Sequence, residues 1–138
     1  MRSNKDVESY LLRMGRPFKE ANEGTYLVSV GSVTVVVRCA QPLVLARVEI
    51  GAAPDANKVD PKAREMLFEH LLKLNATSLV HSAYGIDGGK VILAAALELE
   101  NLDYNELDAI LAELDLALVQ HLPKIRELAG SGGAAKAS

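Results

Sequence analysis

Lys90-Val91-Ile92-Leu93-Ala94-Ala95-Ala96-Leu97-Glu98-Leu99 is the stretch on which the fold turns. Asp87-Gly88-Gly89 stands directly before it, a turn signal that pairs the stretch with Ser78–Tyr84 as a hairpin. In an extended chain successive side chains point to opposite faces. Val91, Leu93, Ala95, Leu97 and Leu99 therefore share one face, and Ile92, Ala94 and Ala96 share the other until the first charge, Glu98. A strand with one wet face alternates apolar with polar residues. This one is apolar on both faces, and its second face is small enough to let another surface approach closely.

Upstream, the same period of two recurs in Thr25–Val30, with Tyr26, Val28 and Val30 on one side. Gly31-Ser32 is a tight turn, and Val33–Arg38 follows with Val33, Val35 and Val37 together. Gln41-Pro42 breaks the pattern, because proline has no N–H for a ladder. Leu43–Ile50 sets Val44, Ala46, Val48 and Ile50 opposite Arg47 and Glu49, while Leu43 and Leu45 add apolar area to that second side. β-Branched runs joined by short breaks predict an antiparallel meander.

Helical spacing frames these strands. Val7, Tyr10, Leu11 and Met14 fall on one face of a first helix, capped by Ser3 or Asn4 and ended by Gly15 and Pro17. Asp60-Pro61 opens a second helix with the stripe Ala63, Leu67, Leu71 and Leu74. Met66, Phe68 and Leu72 widen that stripe, and Asn75 is read as its left-handed terminator. A third helix starts at Asp103, with Glu106 completing a capping box, and carries Leu107, Ile110, Leu111, Leu114 and Leu118 inward. Pro123 is expected to end or kink it. The order α-βββ-α-ββ-α predicts an α+β class, with helices packed on one mostly antiparallel five-stranded sheet. Residues 1–128 are expected to form a single domain, and 129–138 a disordered Gly/Ala/Ser tail.

Composition removes several function classes. Fifteen basic against eighteen acidic residues, a net charge of -3, argue against a nucleic-acid partner. An aromatic content of 4% with no Trp leaves no base-stacking platform. No apolar run approaches the ~18 residues of a membrane span, and the start of the sequence lacks the apolar stretch of a signal peptide. The expectation is a cytoplasmic protein with no membrane partner. Cys39 is alone in an apolar run and reads as a small buried hydrophobe.

Chemistry-bearing motifs are sparse. His70, His81 and His121 have no partner at metal-ligand spacing. Gly85–Gly89 lacks the Lys-Ser/Thr ending of a phosphate loop. The acidic run Glu98, Glu100, Asp103, Glu106, Asp108, Glu113 and Asp115 is spread over a strand end, a cap and a helix, so it reads as a solvated face rather than a cation site. No catalytic residue, metal or cofactor is nominated. The doubly apolar strand instead predicts an interface, because too few elements exist to cover both sheet faces. The alternative is that the first helix or a loop seals the second face within one molecule.

Particular residues then resemble a family. Leu67-Phe68-Glu69-His70-Leu71-Leu72-Lys73-Leu74-Asn75-Ala76 resembles a helix end of the type III secretion chaperone-like superfamily. Tyr84–Leu93 is similar to its glycine-turn hairpin, and Leu97–Leu107 to its strand-to-helix passage. The branch it resembles most is that of the YbjN-like proteins, described as sensory transduction regulators. The resemblance spans roughly Asp6 to Ile125 and consists of packing and turn motifs, which carry fold more than function. It implies the same fold, small acidic homodimers and no catalysis. Transferred by face, dimer contacts fall on Leu72, Ile92, Ala94 and Ala96, and a partner-binding surface on Val7, Leu11, Leu43 and Leu45.

The leading expectation is thus a non-enzymatic, chaperone-like protein-binding module that acts as a homodimer and holds a segment of a protein cargo. A self-associating regulator without cargo is the second. A small-ligand sensor or enzyme, with a crevice near Tyr26, His81 and Tyr84, is the third.

Overall fold

Alternating runs and capped amphipathic stretches become nine elements in the computed structural model, which describes residues 3–55 and 57–137, with side chains described as far as 130. They are α1 (Asn4–Met14), β1 (Phe18–Asn22), β2 (Thr25–Val30), β3 (Val33–Ala40), β4 (Leu43–Ala52), α2 (Pro61–Thr77), β5 (Ser82–Asp87), β6 (Lys90–Glu98) and α3 (Tyr104–Ala137). The strands form one antiparallel sheet in the order β1-β2-β3-β4-β6-β5. The α+β class holds, with six strands where five were expected.

The added strand is β1. Its sequence, Phe-Lys-Glu-Ala-Asn, is exposed at every position after Phe18. It sits at the sheet edge and pairs with β2 alone, so no buried face imposes alternation on it. Polar edge residues of this kind discourage unwanted strand pairing.

Caps explain the helix boundaries. Ser3 and Asp6 form a capping box at α1, and Gly15 closes it at φ 74°. Asp60 accepts from the Lys62 amide, and Pro61 occupies the first position of α2. Asp103 and Glu106 exchange backbone-to-carboxylate bonds at the start of α3. One sequence expectation needs correction here: α2 runs past Asn75 to Thr77, so Asn75 is not its terminator. Of the two outcomes expected at Pro123, an end or a kink, the end is excluded, since α3 continues past it. The expected tail falls mainly on residues 131–138, whose side chains lie outside the described residues.

All three helices pack on one sheet face. Val28 and Val30 of β2, Val35 and Val37 of β3, Val44, Ala46 and Val48 of β4, and Val91 and Leu93 of β6 are buried there. Leu11, Leu67, Leu71, Leu107, Leu111, Leu114 and Ile125 meet them from the helices in one cluster. Each such side chain contributes about 1.5–3 kcal/mol of burial. Polar groups inside this layer are paired: the Tyr26 hydroxyl donates to the Asn4 carbonyl at 3.1 Å, and the Tyr84 hydroxyl lies 2.9 Å from Nδ1 of His121.

Candidate protein-interaction surface

The opposite sheet face carries no helix. Register places Leu27 beside Val36, Val36 beside Arg47, Arg47 beside Ala94, and Ala94 beside Ala83. Along the next row Arg38 neighbours Leu45 and Leu45 neighbours Ala96; Ile92 lies between Glu49 and Gly85. A broad apolar area therefore crosses the central strands, interrupted by charge. Two ion pairs frame one end of it, Arg47 to Asp87 at 2.7 Å and Lys90 to Glu49 at 3.1 Å. Beside Val36, Arg47 and Glu49 the face dips into a shallow open depression of about 580 Å3.

Five residues expected at an interface share this bare face. Ile92, Ala94 and Leu45 are half-buried by their sheet neighbours, while Leu43 and Ala96 are exposed. No segment of the chain seals them among the described residues. Leu72 is elsewhere. It lies on α2, on the helix side of the sheet, 68% exposed beside Phe68 and Arg64 in a groove along that helix. Leu72 and the β6 residues thus flank β5 from two sides rather than forming one plane.

Val7 and Leu11 correct the partner-binding assignment. Both have 0% exposure, because the apolar stripe of α1 is packed into the core cluster beside α3. The exposed apolar residue of α1 is Leu12. The crevice proposed near Tyr26, His81 and Tyr84 does not assemble either. Tyr26 is on β2 and Tyr84 on β5, far apart in the strand order, and His81 is exposed.

Sequence reasoning missed two side chains that shape the β5 edge. The Asn75 amide donates to the Tyr84 carbonyl at 3.0 Å and accepts from the Tyr84 amide at 2.7 Å, taking the place of a neighbouring strand. Glu113 of α3 accepts from the amides of Val80 and His81 and from the Ser82 hydroxyl. These bonds fix Ser78–His81 as a connection, so β5 begins at Ser82 and not at Ser78. A carboxylate breaking the alanine-leucine run of α3, and an asparagine at the end of an apolar stripe, were the only sequence signals.

Burial shifts several titratable groups. Burial pushes the Tyr84 hydroxyl up to about 12 and raises the Cys39 thiol, which keeps it protonated and un-nucleophilic. Burial, then the charge of His70, lowers His121. Among the described residues no group of three or more His, Cys, Asp or Glu could hold a metal ion, and no helix is long and apolar enough to cross a membrane.

Three helices on one six-stranded antiparallel sheet match the fold of type III secretion chaperones. The family model CesT_Tir_1, a family of those chaperones, matches residues 1–131, and the chain belongs to that family. Among curated proteins no sequence matches. Of solved structures, one from the ExoU-SpcU heterodimer of the Pseudomonas aeruginosa type III secretion system is 19% identical, with a TM-score of 0.65 over 85% of this chain and 95% of that one. E. coli YbjN is 12% identical, with a TM-score of 0.60 over 88% and 94%. A chain of the HopA1-SchA chaperone-effector complex is 15% identical, with a TM-score of 0.57 over 89% and 91%. These likenesses establish the fold.

Proposed function

We propose that this protein is a non-enzymatic, cytoplasmic chaperone-like module that works as a homodimer and holds a segment of a partner protein. The observation that carries the reading is the bare sheet face. Ile92, Ala94 and Ala96 supply a flat surface of small and aliphatic side chains suited to a second copy, and Leu43 and Leu45 extend it toward a bound segment. Family membership and structural likeness to a chaperone-effector complex support a binding role. A two-fold pair is the ordinary form of such self-association, and a stable one covers roughly 800 Å2 per subunit. Sedimentation at micromolar concentration is expected to give dimer mass, and Ala94→Glu monomer mass with an unchanged circular dichroism spectrum. Monomer mass for the unaltered protein would remove the dimer from the proposal.

The fold is shared as closely with YbjN as with the secretion complexes, which favours a second reading, self-association without cargo. A dimer in which Leu43 and Leu45 are protected from solvent along with Ala94 would support it.

A further inference from the structure

The acidic run of the sequence plays no part in the sheet-face reading. Seven carboxylates lie between Glu98 and Asp115, and no lysine or arginine occurs from there until Lys124. α3 gathers most of them onto one helix. Its inner side is core, but its outer side is not the polar face expected of a surface helix. Ala109, Ala112, Leu116 and Val119 recur there at spacings of three and four, the pattern of a helix seam. Leu116 is 58% and Val119 70% exposed. Val80, on the connection before β5, stands across from them at 82% exposure. Between this connection and α3 runs a groove of about 510 Å3, lined by Val80, Ala109, Ala112, Leu116 and Glu113 among others.

Glu113 lines the groove, and further carboxylates flank the apolar stripe of α3 on its other side. Burial pushes the Glu113 carboxyl upward, but the Ser82 hydroxyl and the Val80 and His81 amides outweigh it and hold the group below the usual range, ionised. On the other side are Asp108 and Asp115, two helical turns apart, with Asp115 reaching the Gly31 turn. Arg13, stacked on Tyr104, and Lys124, paired with Glu127, lie at the ends of the stripe and not along it. A second copy suits this surface poorly, since a two-fold axis would set acidic borders against each other.

We propose that the α3 groove docks a partner segment in which apolar side chains are flanked by lysine or arginine. The apolar groups lie on Ala112, Leu116 and Val80, and the cations meet Glu113 and Asp115. The surface is on the outer side of the helix layer, away from the bare sheet. It rests on the reading of the chain as a binding protein and specifies the chemistry of what one of its surfaces takes.

The test is fluorescence anisotropy of the full chain with a labelled peptide carrying leucine at helical spacing and lysine elsewhere. Two companions replace lysine by glutamate, or leucine by serine. The leucine-lysine peptide is expected to bind, with each companion at least about tenfold weaker. Leu116→Ser should weaken binding about tenfold. Asp108→Asn with Asp115→Asn should weaken it about threefold and flatten its salt dependence, while Leu12→Ser, on the exposed side of α1, leaves it unchanged. Equal binding of the glutamate peptide, loss on Leu12→Ser instead of Leu116→Ser, or no saturable binding by about 1 mM each overturns the proposal. The substituted residues are solvent-facing or half-buried, and circular dichroism of each variant confirms folding. Sedimentation read separately keeps the two proposals distinct: a monomer that binds the lysine peptide upholds the groove and ends the dimer.

Discussion

The two faces of the same sheet make an instructive pair. Within β6, Leu93 has 0% exposure under the helices, while Ala94, its neighbour in sequence, lies half-buried on the bare side. Within β3, Val37 is sealed and Val36 is 37% exposed. Apolar content alone does not separate the faces. What separates them is size, charge and cover: the helix side holds large, interlocked side chains, and the bare side mixes small ones with Arg38, Arg47 and Glu49. A folded monomer depends on the first face, and self-association or partner capture would depend on the second.

The largest effect that would sharpen this contrast is at Leu93. Leu93→Ala is expected to destabilise the protein by about 2–5 kcal/mol, whereas Leu45→Ala on the bare face shifts monomer stability by under about 1 kcal/mol. Urea unfolding of both variants, made monomeric by Ala94→Glu, checks the pair. Similar losses for the two would break the distinction.

Next comes the turn that ties the sheet to α3. Gly31 holds φ 59°, and a Cβ there would stand 2.6 Å from Oδ1 of Asp115. Gly31→Ala should cost about 1–2 kcal/mol in thermal unfolding. Asp115→Ala in that background restores only part of it, because the backbone conformation remains unfavourable to an L side chain.

Smaller effects come from titration beneath the helices. The Tyr84 hydroxyl lies 2.9 Å from Nδ1 of His121, and burial first, then the charge of His70, disfavours the protonated ring. Its folded pKa is lowered, so the unfolded chain binds the proton first. The stability it contributes is complete above the unfolded value near 6.5 and is lost as pH falls below it. Chemical denaturation between about pH 7 and 5 should show this slope, and His121→Gln should flatten it. Glu113 acts in the same direction at lower pH. Its contribution is present above the ordinary carboxylate value and fades as pH falls through the lowered one. Glu113→Gln should cost about 1 kcal/mol at neutral pH and free the amides of Val80 and His81 to exchange faster, read by hydrogen exchange.

Much of this architecture is legible in the sequence because caps and periods are local. Asp60-Pro61, Asp103 with Glu106, and the alternation in β2 to β4 mark their elements without any distant contact. The bare face is legible too, since Ile92, Ala94 and Ala96 follow one another at period two with no polar residue between. β1 is not legible, because an edge strand exposed at Lys19 and Glu20 has no buried side to leave a pattern. Asn75 and Glu113 escape for another reason: their partners, Tyr84 and the Val80–Ser82 connection, are brought near only by packing of α2 and α3. The error at Val7 and Leu11 was one of assignment. A stripe at helical spacing reports which side of a helix is oily, and in α1 that side is consumed by the monomer's own core.

The amide of Asn75 has a wider consequence. By pairing with both outward peptide groups of Tyr84, it blocks the middle of β5 from adding another strand. At the other margin, the exposed Lys19 and Glu20 of the short strand β1 discourage pairing as well. Both rims of the oily sheet thus oppose extension by backbone pairing.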